Sequence, residues 1–122
     1  MMERIRCSDE VLSMYESNPK VEEALRARRF IELCTSSGRC INVYRGVDRD
    51  HIILRCCMCT CQDFVFNVLF RRTKITCYHI PALELAYRKG IVRRVEVSPT
   101  DFVEIIIEIA TLGFSTKLRK LV

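Results

Sequence analysis

Residues 56–87 run from Cys56 to Tyr87 and read CCMCTCQDFVFNVLFRRTKITCYHIPALELAY. In this stretch the pairs Cys59-Thr60-Cys61 and Cys77-Tyr78-His79 flank fifteen residues without cysteine or histidine. Three thiolates and one imidazole complete a tetrahedral zinc shell. The spacing therefore predicts one structural Zn2+ held by Cys59, Cys61, Cys77 and His79. Residues two apart in an extended strand point to the same side, so Cys59 and Cys61 can offer both sulfurs to one ion. Cys57 shares that parity and competes for a place. The pair Cys59/Cys61 is preferred because Gln62-Asp63-Phe64 gives the chain a polar exit after it, whereas Cys57/Cys59 leaves Cys61 idle.

Upstream, Cys40 to Arg45 and His51 to Cys57 are rich in β-branched and aromatic residues. They are joined by Gly46-Val47-Asp48-Arg49-Asp50, which predicts a hairpin with a five-residue loop leading into the first ligand pair. Downstream, Ile80 to Gly90 reads as a helix with proline in its first turn, basic residues in its last and glycine at its end. Between the pairs, Phe64 to Phe70 is an apolar run of core character, although aromatics beside Arg and Lys also serve single-strand binders. Arg71-Arg72-Thr73-Lys74 forms a basic tip in a loop held at both ends by the metal.

Farther out, Ser8-Asp9-Glu10 starts a short helix that ends near Glu16. Asn18-Pro19 starts a second helix carrying Val21, Ala24, Leu25, Phe30, Ile31 and Cys34, closed by Thr35-Ser36-Ser37-Gly38. Arg26, Arg28 and Arg29 read as solvated residues that complement its dipole. Ile91 to Val97 reads as a strand. Ser98-Pro99-Thr100-Asp101 starts an Ile-rich helix reaching Gly113, whose wide apolar face calls for burial on more than one side. Ser115 to Val122 is a basic, amphipathic tail. The expected fold class is α+β: a small zinc-stapled domain, with a hairpin and helix (ββα) around the ion. It occupies 1–122 as a single domain, with the finger core at 40–90, N-terminal helices in 1–38 and the C-terminal strand and helix in 91–122.

Composition narrows the function. The chain is long enough for one modest core and short enough to benefit from a metal. No apolar run can span a bilayer, and MMERIRCSDEVL lacks the apolar centre of a signal peptide. The expected setting is cytoplasmic, or nuclear in a eukaryote, not secreted and with no membrane partner. In a reducing compartment the closely spaced cysteines read as ligands, and Cys7, Cys34, Cys40, Cys56 and Cys57 as small buried hydrophobes. Disulfides stay open for a hyperthermophile, and one Gln with three Asn leans that way. His51, with no partner at ligand spacing, reads as an ordinary polar residue. The formal charge is +5, and between Arg55 and Arg94 eight basic residues outnumber Asp63 and Glu84 by six. Arg71, Arg72, Lys74, Arg88, Lys89, Arg93 and Arg94 are the candidate nucleic-acid contacts.

Cys59-Thr60-Cys61, a spacer and Cys77-Tyr78-His79 leading into a helix resemble the SWIM zinc finger, whose pattern is C-x-C-x(n)-C-x-H with a hairpin before the first pair. The resemblance covers about residues 40–90 and implies Cys59, Cys61, Cys77 and His79 as ligands; Pro81 so soon after the histidine is less typical of it. SWIM modules are DNA-binding or protein-interaction units of transposases, chromatin remodellers, a ubiquitin ligase and small recombination factors that partner recombinase paralogs. The resemblance thus implies a non-enzymatic accessory factor in DNA recombination or repair, with DNA and a protein such as a recombinase paralog as partners. The alternative is an adaptor or homodimer joined through the Ile-rich segment, with little DNA affinity alone. Catalysis is not expected: four ligands fill a zinc ion's coordination, and no convergent carboxylate pair or phosphate loop is visible.

Overall fold

A computed structural model of the chain describes residues 5–122. The part of the N-terminal charge pattern read from Met1–Arg4 lies outside the described residues. The hairpin forms where the alternation placed it. Strand β2 (Cys40–Arg45) pairs antiparallel with β3 (Asp50–Leu54), Tyr44 facing His51 and Arg45 facing Asp50. The loop is therefore four residues, not five, and Gly46 N–H donates to Arg49 O at 2.9 Å across it. Glycine is needed there, because a Cβ on Gly46 would collide with the Arg49 carbonyl oxygen. After a turn in which Cys56 takes φ 59°, β4 (Met58–Cys59) folds back on β3 with Cys59 opposite Ile53.

The expected second helix is half as long as its apolar spacing suggested. Helix α1 (Asp9–Tyr15) is capped by Ser8 and α2 (Pro19–Arg26) by Asn18, as read, but α2 stops at Arg26. Arg28 N–H donates to Leu25 O and Arg29 N–H to Ala24 O, both at 3.1 Å, while Arg28 adopts φ 51°. These are the two bonds of a Schellman ending. Phe30–Thr35 then forms β1, which pairs antiparallel with β2 on one side and parallel with β5 (Arg93–Val97) on the other. Phe30, Ile31 and Cys34 therefore belong to a strand. Their spacing imitates a helix because both faces of β1 are buried, which removes the alternation that marks a one-sided strand.

The sheet order is β4-β3-β2-β1-β5, and each face has its own core. Phe30, Tyr44 and Ile53 share a cluster with Leu12, Val21, Phe64, Ile80 and Leu83, under α1, α2 and α3 (His79–Arg88). Ile31, Leu33, Val43 and Ile52 meet Ile105, Ile109 and Leu118 from α4 (Pro99–Leu112) and α5 (Thr116–Leu121). Each of these fully buried aliphatic or aromatic side chains contributes about 1.5–3 kcal/mol relative to exposure. The Ile-rich segment is a helix as expected, capped by Ser98 and ended by Gly113 at φ 82°. Within this chain it is buried along one side, leaving Val103, Ile107 and Leu112 exposed. The basic tail is anchored: the buried Asp50 carboxylate accepts from Arg119 Nη2 at 2.8 Å and from Ser115 N–H at 2.9 Å. No helix among the described residues is long and apolar enough to cross a membrane.

Two disulfides correct the expectation that the cysteines outside the ligand set are free. Cys34 pairs with Cys40 and Cys7 with Cys56, with Cα separations of 4.1 and 5.3 Å. The first pair lies at opposed positions of β1 and β2. Cys57 is free and half-buried.

Candidate metal centre

The ligand pairs meet because one ends a strand and the other begins a helix. Cys59 completes β4, and the ladder runs on one residue further as Thr60 N–H donates to Ile52 O at 3.0 Å, with Ile52 N–H donating to Thr60 Oγ1 at 2.9 Å. Cys61 lies beyond the strand, in the bend before Phe64–Phe70. Its sulfur accepts from Phe64 N–H at 3.4 Å. Cys77 and His79 stand at the entry to α3, where Pro81 sits inside the first turn without disturbing it. The ligand atoms of Cys59, Cys61, Cys77 and His79 all lie within 4.8 Å of one another, and all four residues are buried, so this group could hold a metal ion.

The electrostatics of the group call for a cation. Hydrogen bonds with Cys61 and then Cys77, followed by burial, push the Cys59 thiol far up, while Cys61 is pulled down by hydrogen bonds from Cys59 and Cys77. Cys77 is pushed up to about 12; its contact with Cys59 acts downward, but the contact with Cys61 and burial outweigh it. Three adjacent buried thiolates need a positive ion among them. His79 Nδ1 is likewise buried without a hydrogen-bond partner, and such an orphan costs about 1–3 kcal/mol. Two soft pairs and an unmet imidazole nitrogen fit a metal. The groups Cys7/Cys56/Glu84 and Glu32/Cys34/Cys40 also cluster, but their sulfurs are joined in disulfides.

The surroundings hold residues that spacing could not reveal. His51, with no partner in sequence, has its ring centroid 5.0 Å from that of His79 and stacks on Tyr44 at 5.9 Å. Burial first, and then His79, hold His51 towards its neutral form. Tyr44 and Tyr78 flank His79 with centroids 4.4 and 4.0 Å away. Arg6 donates to Cys57 O at 2.7 Å and Ile75 O at 3.0 Å and lies over Phe64, clamping the segments that carry the two ligand pairs. Only the β-register that puts His51 opposite Tyr44 could have signalled His51 in advance.

The candidate nucleic-acid contacts do not form one surface patch. Arg71, Arg72 and Lys74 follow Phe64–Phe70, a π-helical segment next to β4; Arg93 and Arg94 lie on β5, at the other end of the sheet order. Lys74 pairs with Asp63 at 2.6 Å, Arg88 with Asp9 at 3.2 Å, and Arg94 with Glu32 at 3.1 Å and Glu96 at 3.4 Å. Among the described residues Arg71, Arg72, Lys89 and Arg93 make no ion pair, although Arg71 donates to Asn67 Oδ1 at 3.4 Å. The apolar run between the ligand pairs is only partly core. Phe64 and Val68 are buried, whereas Phe66, Leu69 and Phe70 are 49, 52 and 75% exposed. Compared with known proteins, the chain matches no family model, no curated protein and no solved structure.

Proposed function

We propose that the chain is a zinc-stapled, non-enzymatic nucleic-acid-binding module of SWIM type, serving as an accessory factor in DNA recombination or repair. Zinc suits the donors: three thiolates and an imidazole at about 2.0–2.3 Å fill a tetrahedral shell and leave no open position for catalysis. One ion would fasten the β3–β4 return to α3. The observation that carries the binding reading is the π-helical segment, where exposed Phe66 and Phe70 lead directly into Arg71 and Arg72, neither of them ion-paired among the described residues. π-Helical turns are rare and cluster at functional sites. Aromatic faces beside free guanidiniums take stacked bases and backbone phosphates together.

The test is fluorescence anisotropy of labelled single- and double-stranded oligonucleotides between about 50 and about 200 mM salt. Each phosphate contact adds about 0.7–0.9 to the slope of log K against log salt. Replacing Arg71 and Arg72 by Gln should lower that slope by about 1–2. Salt-insensitive or absent binding would sink this reading. A second reading, adaptor or homodimer, is favoured by Val103 and Ile107, exposed one turn apart on α4. Ile107→Asp would then abolish a dimer seen by light scattering without altering oligonucleotide binding.

A further inference from the structure

A cavity of about 470 Å³ opens where β1 and β5 begin, β2 ends and α3 crosses over to β5. Its walls include Arg28, Ile31, Arg45, Gly90, Arg93 and Val122, and no aspartate or glutamate lines it. Among the described residues none of the three arginines makes an ion pair, with a side chain or with the carboxylate of Val122. The nearby Arg29 differs, since Glu23 neutralises it at 2.8 Å. Arg45 Nε is moreover buried without a hydrogen-bond partner; among the described residues the other such side-chain atom is His79 Nδ1, at the metal centre. The Arg45 Nε–H is enclosed, so the side chain stands under-satisfied beside the cavity, at a cost that a small movement of the guanidinium towards an acceptor in the cavity would relieve.

Arg28 adds an independent indication. Helices α2 and α3 both end in Schellman geometry at this cavity, and the left-handed position after α3 is Gly90, at φ 67°. The matching position after α2 is Arg28, at φ 51°, where a side chain strains the backbone and glycine would not. The strain is tolerated by a residue whose side chain helps wall the cavity. Two helix C-termini also stand here, each worth roughly half a negative charge. Three guanidiniums exceed their sum by about two positive charges, and by about one when the Val122 carboxylate at the wall is counted as well.

We propose that this cavity is a phosphate-binding site in which Arg28, Arg45 and Arg93 grip a phosphoryl group. Planar guanidiniums donate pairs of parallel N–H bonds to phosphoryl oxygens, and three of them can surround one group. The phosphoryl group comes either from a nucleic-acid backbone or from a free phosphorylated small molecule. The site stands apart from the π-helical face and does not depend on it.

Thermal unfolding of the full chain in sodium phosphate, against chloride at equal ionic strength, tests the proposal. Wild type should be stabilised saturably. Arg28→Gly, which suits the backbone, and Arg93→Gln, on an exposed strand residue, should each weaken phosphate binding about tenfold or more. Arg71→Gln/Arg72→Gln should leave it unchanged. No stabilisation beyond chloride, undiminished binding in both cavity variants, or loss confined to Arg71→Gln/Arg72→Gln overturns the proposal. Two competitors distinguish the sources and both uphold the site. Displacement of phosphate by an oligonucleotide without terminal phosphates marks a backbone ligand; displacement by a mononucleotide alone marks a free one. Should oligonucleotide binding fail while phosphate still saturates, the nucleic-acid reading falls and this site stands.

Discussion

Cys59→Ser and Cys57→Ser each exchange one sulfur for oxygen, two residues apart, and the structure assigns them opposite consequences. Cys59 is fully buried in the four-residue ligand group, whereas Cys57 is a half-buried free thiol outside it. Structural zinc contributes about 10–16 kcal/mol in small fingers, as much as the whole stability of a domain this size, about 5–15 kcal/mol. Losing one of four ligands should therefore cost several kcal/mol and leave the metal-loaded variant largely unfolded. A buried serine hydroxyl adds about 1–3 kcal/mol by itself, so that contribution has to be separated. Urea unfolding of wild type and both variants, each with and without a strong chelator, separates it. With metal, Cys57→Ser should match wild type within about 0.5 kcal/mol and Cys59→Ser should fall far below. With chelator all three should lose most of their stability, and any transition that remains should differ by no more than the hydroxyl contribution, because the apo proteins share the same missing ion. Metal analysis should find one zinc per chain in wild type and Cys57→Ser. Equal stability of the two variants, or a wild type indifferent to the chelator, would refute the ligand assignment.

Reduction should lower stability in two steps. The loop-closure estimate for separations of 49 and 6 residues gives about 4 kcal/mol for Cys7–Cys56 and about 2 kcal/mol for Cys34–Cys40, read by unfolding of Cys→Ala variants beside intact mass under non-reducing conditions. Ile105→Ala, emptying a fully buried site under the sheet, should cost about 2–5 kcal/mol. Ile107→Ala, exposed on the same helix, should stay within about 0.5 kcal/mol of a monomeric wild type. Gly46→Ala should cost about 1–3 kcal/mol by forcing the hairpin loop off the Arg49 carbonyl, visible as a lowered urea midpoint. The hydrogen bond from Arg29 holds the Glu23 carboxyl below its ordinary range. A depressed folded pKa contributes stability above the unfolded value and loses it as pH falls through the folded one. Glu23→Gln should therefore flatten the fall in melting temperature between about pH 5 and about pH 3, by a small amount because the pair is exposed.

What could be read in the sequence was local, and what could not was set by the second layer of the sheet. Ser8, Asn18 and Ser98 announce their helices because each cap bond spans two or three residues. The hairpin shows in its alternation, and the metal group in two close pairs whose meeting needs only that hairpin and one helix. Strand β1 hid itself. With α4 on one face and α2–α3 on the other, Phe30 to Cys34 lost the alternation that would have marked a strand. That single misreading concealed the Cys34–Cys40 disulfide as well, since the two cysteines face each other only when β1 is paired with β2. Cys7–Cys56 was out of reach for a different reason: a separation of 49 residues carries no local signal. The exposed half of Phe64–Phe70 was concealed by its composition. Phe64 and Val68, four apart, go in while Phe66 and Phe70, also four apart, point outward, a division of helical period that a run apolar at nearly every position does not show.

The two unpartnered buried nitrogens tie the working ends of the fold together. His79 Nδ1 lies on the face of the sheet that needs a cation among three thiols, and Arg45 Nε on a wall that needs an anion among three guanidiniums. Tyr44 and Arg45 are consecutive on β2, so one residue contacts His79 of the candidate metal group while the next lines the cavity. Alternation along a strand sends neighbouring side chains to opposite faces, and this is how so short a chain can support two sites of opposite charge. It also couples them. The position of β2 is held on one side by the ring packing around His79 and on the other by Arg29, which donates to Arg45 O at 3.2 Å. Loosening the metal group by chelation should therefore weaken phosphate binding at the cavity. Linkage then requires phosphate to raise metal affinity by the same factor, and unchanged phosphate binding in a folded, metal-free protein would show that β2 does not couple the two sites.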